Sequence, residues 1–347
     1  MSEASPSDLP PSDVPHTESH PNSAGVKRLA VLTSGGDAPG MNAAIRAVVR
    51  TASYKNIDIC GVIRGYRGLI SGDFRPMNAR SVDNITQRGG TILYSARSPE
   101  FLHPEGRARA AENLRAEGVE GLVVIGGNGS FQGAHLLSKE HGVRVIGVPG
   151  TIDNDIYGTD VTIGFHTAMN IALSAIDRLR DTGHSHDRLF LVEVMGRHSG
   201  HIALNVGIAG GAEEILVPER EYDIDEMVRS IAAGRKRGRS SSIIVVAEGA
   251  TKGGATELEK RIEAASGYEV RTSVLGHVQR GGAPSTRDRV LAARLGYHAV
   301  IAMLEGQSDV MVGVDKRDTV FVPLRDTWEK QKELEWHLYD INKILAG

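Results

Sequence analysis

Short, nearly continuous apolar runs of strand length alternate with helix-period stretches through most of this chain. The runs are Arg28–Leu32, Ile57–Val62, Gly121–Ile125, Val143–Val148, Leu189–Val194, Glu214–Val217 and Ser242–Ala247. Helical periodicity fills intervals such as Ala108–Ala116, Gly133–His141 and Thr167–Thr182. A strand with no polar face must be covered on both sides, and interleaved helices supply that cover for parallel sheets. The expected fold class is α/β with mainly parallel sheets.

At 347 residues the chain has room for about two domains of roughly 100–200 residues each. The segments "EVMGRHSGH", "AEGATKGG" and "GHVQRGGAPS" repeat the strand-then-loop layout in the second half. They place a second α/β domain there, with a cleft between the two. Residues 1–25 are rich in Ser, Pro and acids with little apolar surface to offset ordering entropy, so they read as a disordered tail in which His16 and His20 are inert. The tail lacks the charged start and apolar core of a signal peptide. No apolar run approaches the ~20 residues of a membrane span. A net charge of −3 and 5% aromatic residues supply neither a basic field nor stacking platforms for nucleic acid. The single cysteine, Cys60, excludes an internal disulfide framework and fits a reducing cytosol.

Three glycine-rich turns follow buried-strand patterns: "TSGGDAPG", "IGGNGS" and "VPGTIDND". In open parallel sheets, ligands sit outside the carboxyl ends of the strands, where such turns converge. In the first turn Gly35 and Gly40 have P-loop spacing, but Met41 and Asn42 stand where that motif needs Lys and Ser or Thr. The third turn sets Asp153 and Asp155 beside Thr151. Read as extended chain, residues two apart project to one side, so the carboxylates share a site. One could accept a proton while the other helps hold a metal. An Asx-rich turn capping backbone amides is the competing reading, and the stretch alone leaves both open. Arg97, Arg188, Arg197, Arg271 and Arg280 lie near strand ends or glycine turns, a placement that favours a substrate with more than one phosphate group. His277 reads as a hydrogen-bond donor, His198 and His201 as structural, and His184 and His186 as part of an exposed loop.

Taken together and in order, "TSGGDAPGMNAAIR", "GGTILYSARSPEF", "GGNGSFQGA", "PGTIDND", "VEVMGRHSGH" and "LGHVQRGG" resemble the bacterial type of ATP-dependent 6-phosphofructokinase. The resemblance runs from about Lys27 to the C-terminus. It implies two similar three-layer α/β domains with the active site in the cleft between them. Residues 27–164 plus 279–329 would bind ATP and residues 165–278 plus 330–347 the sugar phosphate, after a tail of residues 1–26. The implied reaction is phosphorylation of fructose 6-phosphate at its 1-hydroxyl, the committed step of glycolysis. It would be carried out by a cytoplasmic homotetramer using Mg²⁺.

Residue by residue, the resemblance makes Asp153 the base, with Thr151 and Arg197 beside it. Thr151, Ile152, Asp153, Met195, Gly196, Arg197 and Glu248 would hold the sugar. His277, Val278, Gln279 and Arg280 would meet its phosphate from the same chain, and Arg188 and Arg271 from a neighbouring subunit. Gly36, Tyr66, Arg97, Ser98, Gly127, Asn128, Gly129 and Ser130 match the nucleotide side. Asn128 and Asp155 would hold the metal; the family commonly has Asp at the first of these, so an oxygen ligand is kept and a charge removed. The first turn would hold phosphate by backbone amides in place of a P-loop lysine. Arg46, Arg50, Arg180, Gly211, Ala212, Glu213, Arg237 and Arg239 fall on an effector pocket between subunits that takes ADP or phosphoenolpyruvate, with Ala79 and Ser241 departing from its usual basic residues. Arg46 and Arg50 share one helix face at i,i+4, which suggests an anionic third party. Pyrophosphate-using relatives resemble "GGDDS" and "PKTIDND"; the small Gly129 and Gly150 here leave room for adenine nucleotide. A non-catalytic sugar-phosphate sensor is a rival from another class. A dinucleotide oxidoreductase would need G-x-G-x-x-G, which the first turn lacks.

Overall fold

The computed structural model describes residues 25–184, 189–237 and 242–346. The chain first lays down β1 (Arg28–Thr33), β2 (Asp58–Val62), β3 (Phe74–Met77), β4 (Gly121–Gly126), β5 (Val145–Thr151) and β6 (Ile163–Gly164). It then forms β7 (Leu189–Val194), β8 (Glu214–Leu216), β9 (Ser242–Ala247) and β10 (Val270–Val274), and ends with β11 (Val310–Asp315) and β12 (Asp318–Pro323). The large sheet runs β12-β11-β5-β4-β1-β2-β3, with β6 on β5; the small sheet runs β10-β7-β9-β8. Among the described residues, only β3 on β2 and β12 on β11 pair antiparallel. All seven expected strands form; β3, β6, β10, β11 and β12 are additions.

The two-sided burial is real. Along β1, Leu29 and Val31 face one core, where the helices Met41–Tyr54 and Thr286–Leu304 pack. Ala30 and Leu32 face the other, with Leu69, Leu114 and Leu137 from helices on that side. The small sheet repeats the pattern, with Phe190 and Val192 towards the helices Phe165–His184 and His201–Ala209, and Leu189 and Leu191 towards Met227, Ile231 and Leu258. One apolar cluster runs continuously from the first face of the large sheet to that of the small sheet. Each Leu or Ile buried this fully contributes about 1.5–3 kcal/mol.

Strand order locates the crevices. The chain leaves β1 for β2 on one side and later crosses to β4 on the other, so the turns after β1 and β4 diverge at a switch point. In the small sheet, adjacent strands β7 and β9 feed helices on opposite faces, opening a second crevice at Met195 and Glu248.

A buried carboxylate fastens the chain where it passes from one sheet to the other. Asp288, fully buried at the start of the helix Thr286–Leu304, accepts hydrogen bonds from Gly164 N (2.9 Å), Thr167 N (2.8 Å), Thr167 Oγ1 (2.5 Å) and Ser285 Oγ (3.0 Å). Gly164 ends β6 and Thr167 opens the helix leading to β7. Removing the carboxylate strands several buried donors, so Asp288→Ala is expected to lower stability by about 3–5 kcal/mol. Thermal or urea unfolding reads this, and a loss under ~1 kcal/mol would contradict the role.

Candidate functional site

At the first crevice, β1 ends in a turn through Gly35 (φ 85°) and Gly40 (φ 113°) before the helix Met41–Tyr54 begins. A Cβ on Gly40 would come within 2.6 Å of Ile163 Cγ2, so only glycine fits. Opposite, the helix Asn128–His141 opens on Gly127 with no side-chain cap. Its first-turn amides and the positive end of its dipole suit an anion. Tyr66 supports this helix start from the protein side. Its ring stacks on Phe101 (3.9 Å between centroids), its hydroxyl donates to the Ser130 carbonyl, and burial raises its pKa. Gly35, Gly36, Asp37 and the exposed Arg97 line a cavity of about 410 Å³. Ser98 precedes the short turn Pro99–Leu102 at the cavity's edge.

The aspartate turn forms where β5 ends. The chain there is not extended, as the sequence reading had it: Asn154 is left-handed (φ 54°) and turns the backbone between the two carboxylates. The Asn154 side chain fixes this turn, accepting from Thr162 N (3.0 Å) and donating to Asp160 O (3.3 Å). A side chain that caps a backbone amide and two neighbouring carboxylates therefore coexist in one stretch. Burial, and secondarily the Asp155 charge, pushes the Asp153 carboxyl up to about 6. Arg280 and His198 oppose that shift. Burial also raises Asp155. Asn128 Nδ2 donates to Asp155 (3.3 Å), while Asn128 Oδ1 is buried without a partner among the described residues. Thr151 Oγ1 accepts from Asp153 N (3.3 Å); the Ile152 side chain is wholly in the core.

The second crevice faces this turn. Met195 N donates to the buried Gln279 Oε1 (2.7 Å), Gly196 has φ 134°, and Arg197 pairs with Glu248 (3.3 Å) across β7 and β9. Gln279 belongs to the tight turn Gly276–Arg280, which also carries His277 and the exposed Val278. Arg280 Nη1 donates to Asp37 O (3.1 Å), over the flat face of Gly36. Arg271, on the edge strand β10, pairs with Glu269 in solvent. Arg188 lies outside the described residues.

With that geometry in view, comparison with known proteins is decisive. The sequence model described as Phosphofructokinase matches residues 28–303. The chain belongs to the phosphofructokinase family. It is 55% identical over 321 residues to ATP-dependent 6-phosphofructokinase 1 of Thermus thermophilus, covering 92% of this chain and 100% of that protein. It is 52% identical, with the same coverage, to ATP-dependent 6-phosphofructokinase of Bacillus subtilis. The solved phosphofructokinase of Saccharomyces cerevisiae superposes with a TM-score of 0.84 at 36% identity, over 92% of this chain and 48% of the yeast chain.

The residues matched to the family's effector pocket fall into two sets within the chain. Arg180 Nη2 donates to the carbonyls of Gly210 (2.5 Å) and Gly211 (2.7 Å), closing the helix His201–Ala209. Ala212 is buried, Glu213 Oε2 accepts from Ile243 N (2.6 Å), and Glu213 and Arg237 line a cavity of about 340 Å³. Arg46 and Arg50 stand on the helix Met41–Tyr54 of the large-sheet side, where Arg50 is paired with Asp83 of the same chain. That carboxylate is an anionic partner the i,i+4 reading had sought elsewhere. Arg239 and Ser241 lie outside the described residues, as does His186, whereas His184 ends the helix Phe165–His184.

One group at the site carried no sequence signal. Lys332, in a motif-free C-terminal segment, donates to Asp160 O (2.8 Å). Burial lowers it to about 8, against the pull of Asp160 and Asp155. Of the nucleotide-side glycines, Gly129 opens on free space, whereas Gly150 is packed against Ile125 and Met41. Room for a larger ligand is thus found at the first and not at the second.

A methyl group at Gly36 would sit 2.6 Å from Arg280 Nη1, and a guanidinium can swing away where backbone could not. Gly36→Ala is expected to fold normally and to weaken ligand binding at the cleft about 10-fold, the scale of one charge-assisted hydrogen bond. Unchanged affinity for both phosphorylated ligands, measured by calorimetry, would contradict it.

Proposed function

We infer that this chain phosphorylates fructose 6-phosphate at the 1-hydroxyl with ATP, giving fructose 1,6-bisphosphate and ADP. The observation that carries the reading is Asp153, a half-buried carboxyl raised to about 6 and set between two crevices, in a chain so similar to enzymes of that name over its whole matched length. The large-sheet side, residues 27–164 plus 279–329, takes ATP on the turns after β1 and β4. Residues 165–278 plus 330–347 take the sugar phosphate. Met195, Gly196, Arg197 and Glu248 orient the sugar, and His277 and Arg280 bind its phosphate. Asp153 draws the proton from the 1-hydroxyl as that oxygen bonds to the terminal phosphorus. The bond from phosphorus to the bridging oxygen breaks and ADP departs. Thr151 and the amides of Gly127–Ser130 hold the donor phosphates in line.

The site fits Mg²⁺. Two half-buried carboxyls raised by desolvation, with an amide oxygen beside them that has no partner among the described residues, form a hard-oxygen set short of positive charge. Asn128 and Asp155 would hold the ion, which supplies charge neutralisation on the donor phosphates.

Assembly as a tetramer is supported by Arg271, which projects from an edge strand and pairs with the exposed Glu269. In that assembly Arg271 and Arg188 complete a neighbour's sugar-phosphate pocket. The effector site for ADP and phosphoenolpyruvate would join Arg46 and Arg50 of one subunit to Arg180, Glu213 and Arg237 of another.

The test is ADP release in the presence of fructose 6-phosphate, with ATP and with pyrophosphate as donor; turnover only with pyrophosphate would overturn the reading. Asp153→Asn is expected to lower kcat by about 10²–10⁴-fold with binding retained. The base acts as its anion, so kcat should fall as pH drops through about 6, and that acid limb should vanish in the variant. Asn128→Asp should lower the Mg²⁺ concentration needed for half-maximal rate; an inactive variant would refute the metal assignment. Arg237→Ala should abolish the response to phosphoenolpyruvate while the maximal rate stays near normal. An unchanged response, read from the fructose 6-phosphate saturation curve, would place the effector elsewhere.

A further inference from the structure

We infer that Ser199 is a positioning residue through which the seated sugar phosphate holds Asp153 in its working orientation; this rests on Asp153 being the base. Ser199 lies in the loop after β7, two residues beyond Arg197, and is 3% exposed. Its hydroxyl donates across the cleft to the main-chain oxygen of Asp153 at 2.7 Å. That carbonyl belongs to the peptide entering the left-handed Asn154, so its direction sets how the turn presents its carboxylates. On the other side of Asp153, the N–H reaches Thr151 Oγ1 only at 3.3 Å. The Asn154 side chain secures the far end of the turn, and Ser199 secures the near end.

The loop that bears Ser199 is stiff and connected to the ligand side. Gly196 folds against the Ser199 carbonyl so closely that a Cβ there would strike it, and Gly249 abuts Arg197 in the same manner. Gly249 N also donates to Gly196 O (3.2 Å). Upstream, Met195 N is held by Gln279, the neighbour of Arg280. Contacts therefore run without a gap from the turn that meets the sugar phosphate, through Gln279, Met195 and Gly196, to Ser199 and the carbonyl of Asp153. Seating the phosphate steadies the base at the moment its proton acceptor is needed. Such a chain shows continuity; energetic coupling is what the experiment must measure.

The experiment is a double-mutant cycle on the full-length enzyme, following kcat and both KM values in Ser199→Ala, Asp153→Asn and the double variant. Ser199→Ala is expected to lower kcat about 10-fold, the effect of a slightly misplaced reacting group, with KM for ATP within about 2-fold of wild type. In the Asp153→Asn background the same change should cost nothing further, because the base through which it acts is gone. Ser199→Cys, close in shape but a poor donor, should match Ser199→Ala and separates the hydrogen bond from packing. Near-normal kcat in Ser199→Ala, an equal loss in both backgrounds, or full rate in Ser199→Cys would each overturn the inference. Near-normal kcat in Asp153→Asn would instead overturn the assignment of the base, and this inference with it.

Discussion

Two carboxyls held side by side and partly out of water are costly, and the arrangement around them is organised to sustain that cost. Asp153 and Asp155 are both raised by burial, and each charge works against the other. Exposed chain would relax by letting one side chain swing into solvent. Here the left-handed Asn154, with its two side-chain hydrogen bonds, fixes the turn. Cations stand near without closing the gap: Arg280 is committed to the Asp37 carbonyl and Lys332 to that of Asp160. What remains is a shortage of positive charge beside the open amides of the helix Asn128–His141. An anion suits the amides and a cation suits the carboxyls.

The two sheets make this possible because each supplies a crevice at its carboxyl ends and both crevices open onto the aspartate turn. A continuous apolar layer keeps them in register, and Asp288 fastens the chain where it passes between them. At the aspartate turn a polar link, Ser199 to Asp153, joins the small-sheet side to the large one.

Legibility in the sequence followed this division of labour. Buried parallel strands announce themselves as continuous apolar runs, so β1, β4, β7 and β9 were plain. The polar edge strands β3 ("FRPM"), β10 ("VRTSV") and β12 ("DTVFVP") lack such runs because one side of each meets solvent. The glycine turns and the aspartates could be read from spacing. How the aspartates come together could not: alternation in an extended chain was the wrong geometry, and a left-handed turn at Asn154 was the means. Lys332 and Arg280 reach the turn from distant segments, a relation that only tertiary packing reveals. The pairing of Arg50 with Asp83 was hidden for the same reason.

Two exposed arginines show how a guanidinium can be held without being locked. Arg197 is 72% exposed in its pair with Glu248, and Arg271 is 55% exposed in its pair with Glu269. Exposed pairs of this kind contribute about 0–1 kcal/mol, while a charge-assisted hydrogen bond to a phosphate can contribute about 1.5–3 kcal/mol. The carboxylates thus keep the guanidiniums oriented and yield them readily to a doubly charged ligand. Arg280 follows the same logic with a backbone carbonyl as its resting partner, and its position over Gly36 means that yielding it disturbs the first glycine turn directly. Arg280 is therefore mechanically joined to the first glycine turn, through a contact that needs a residue without a side chain at position 36.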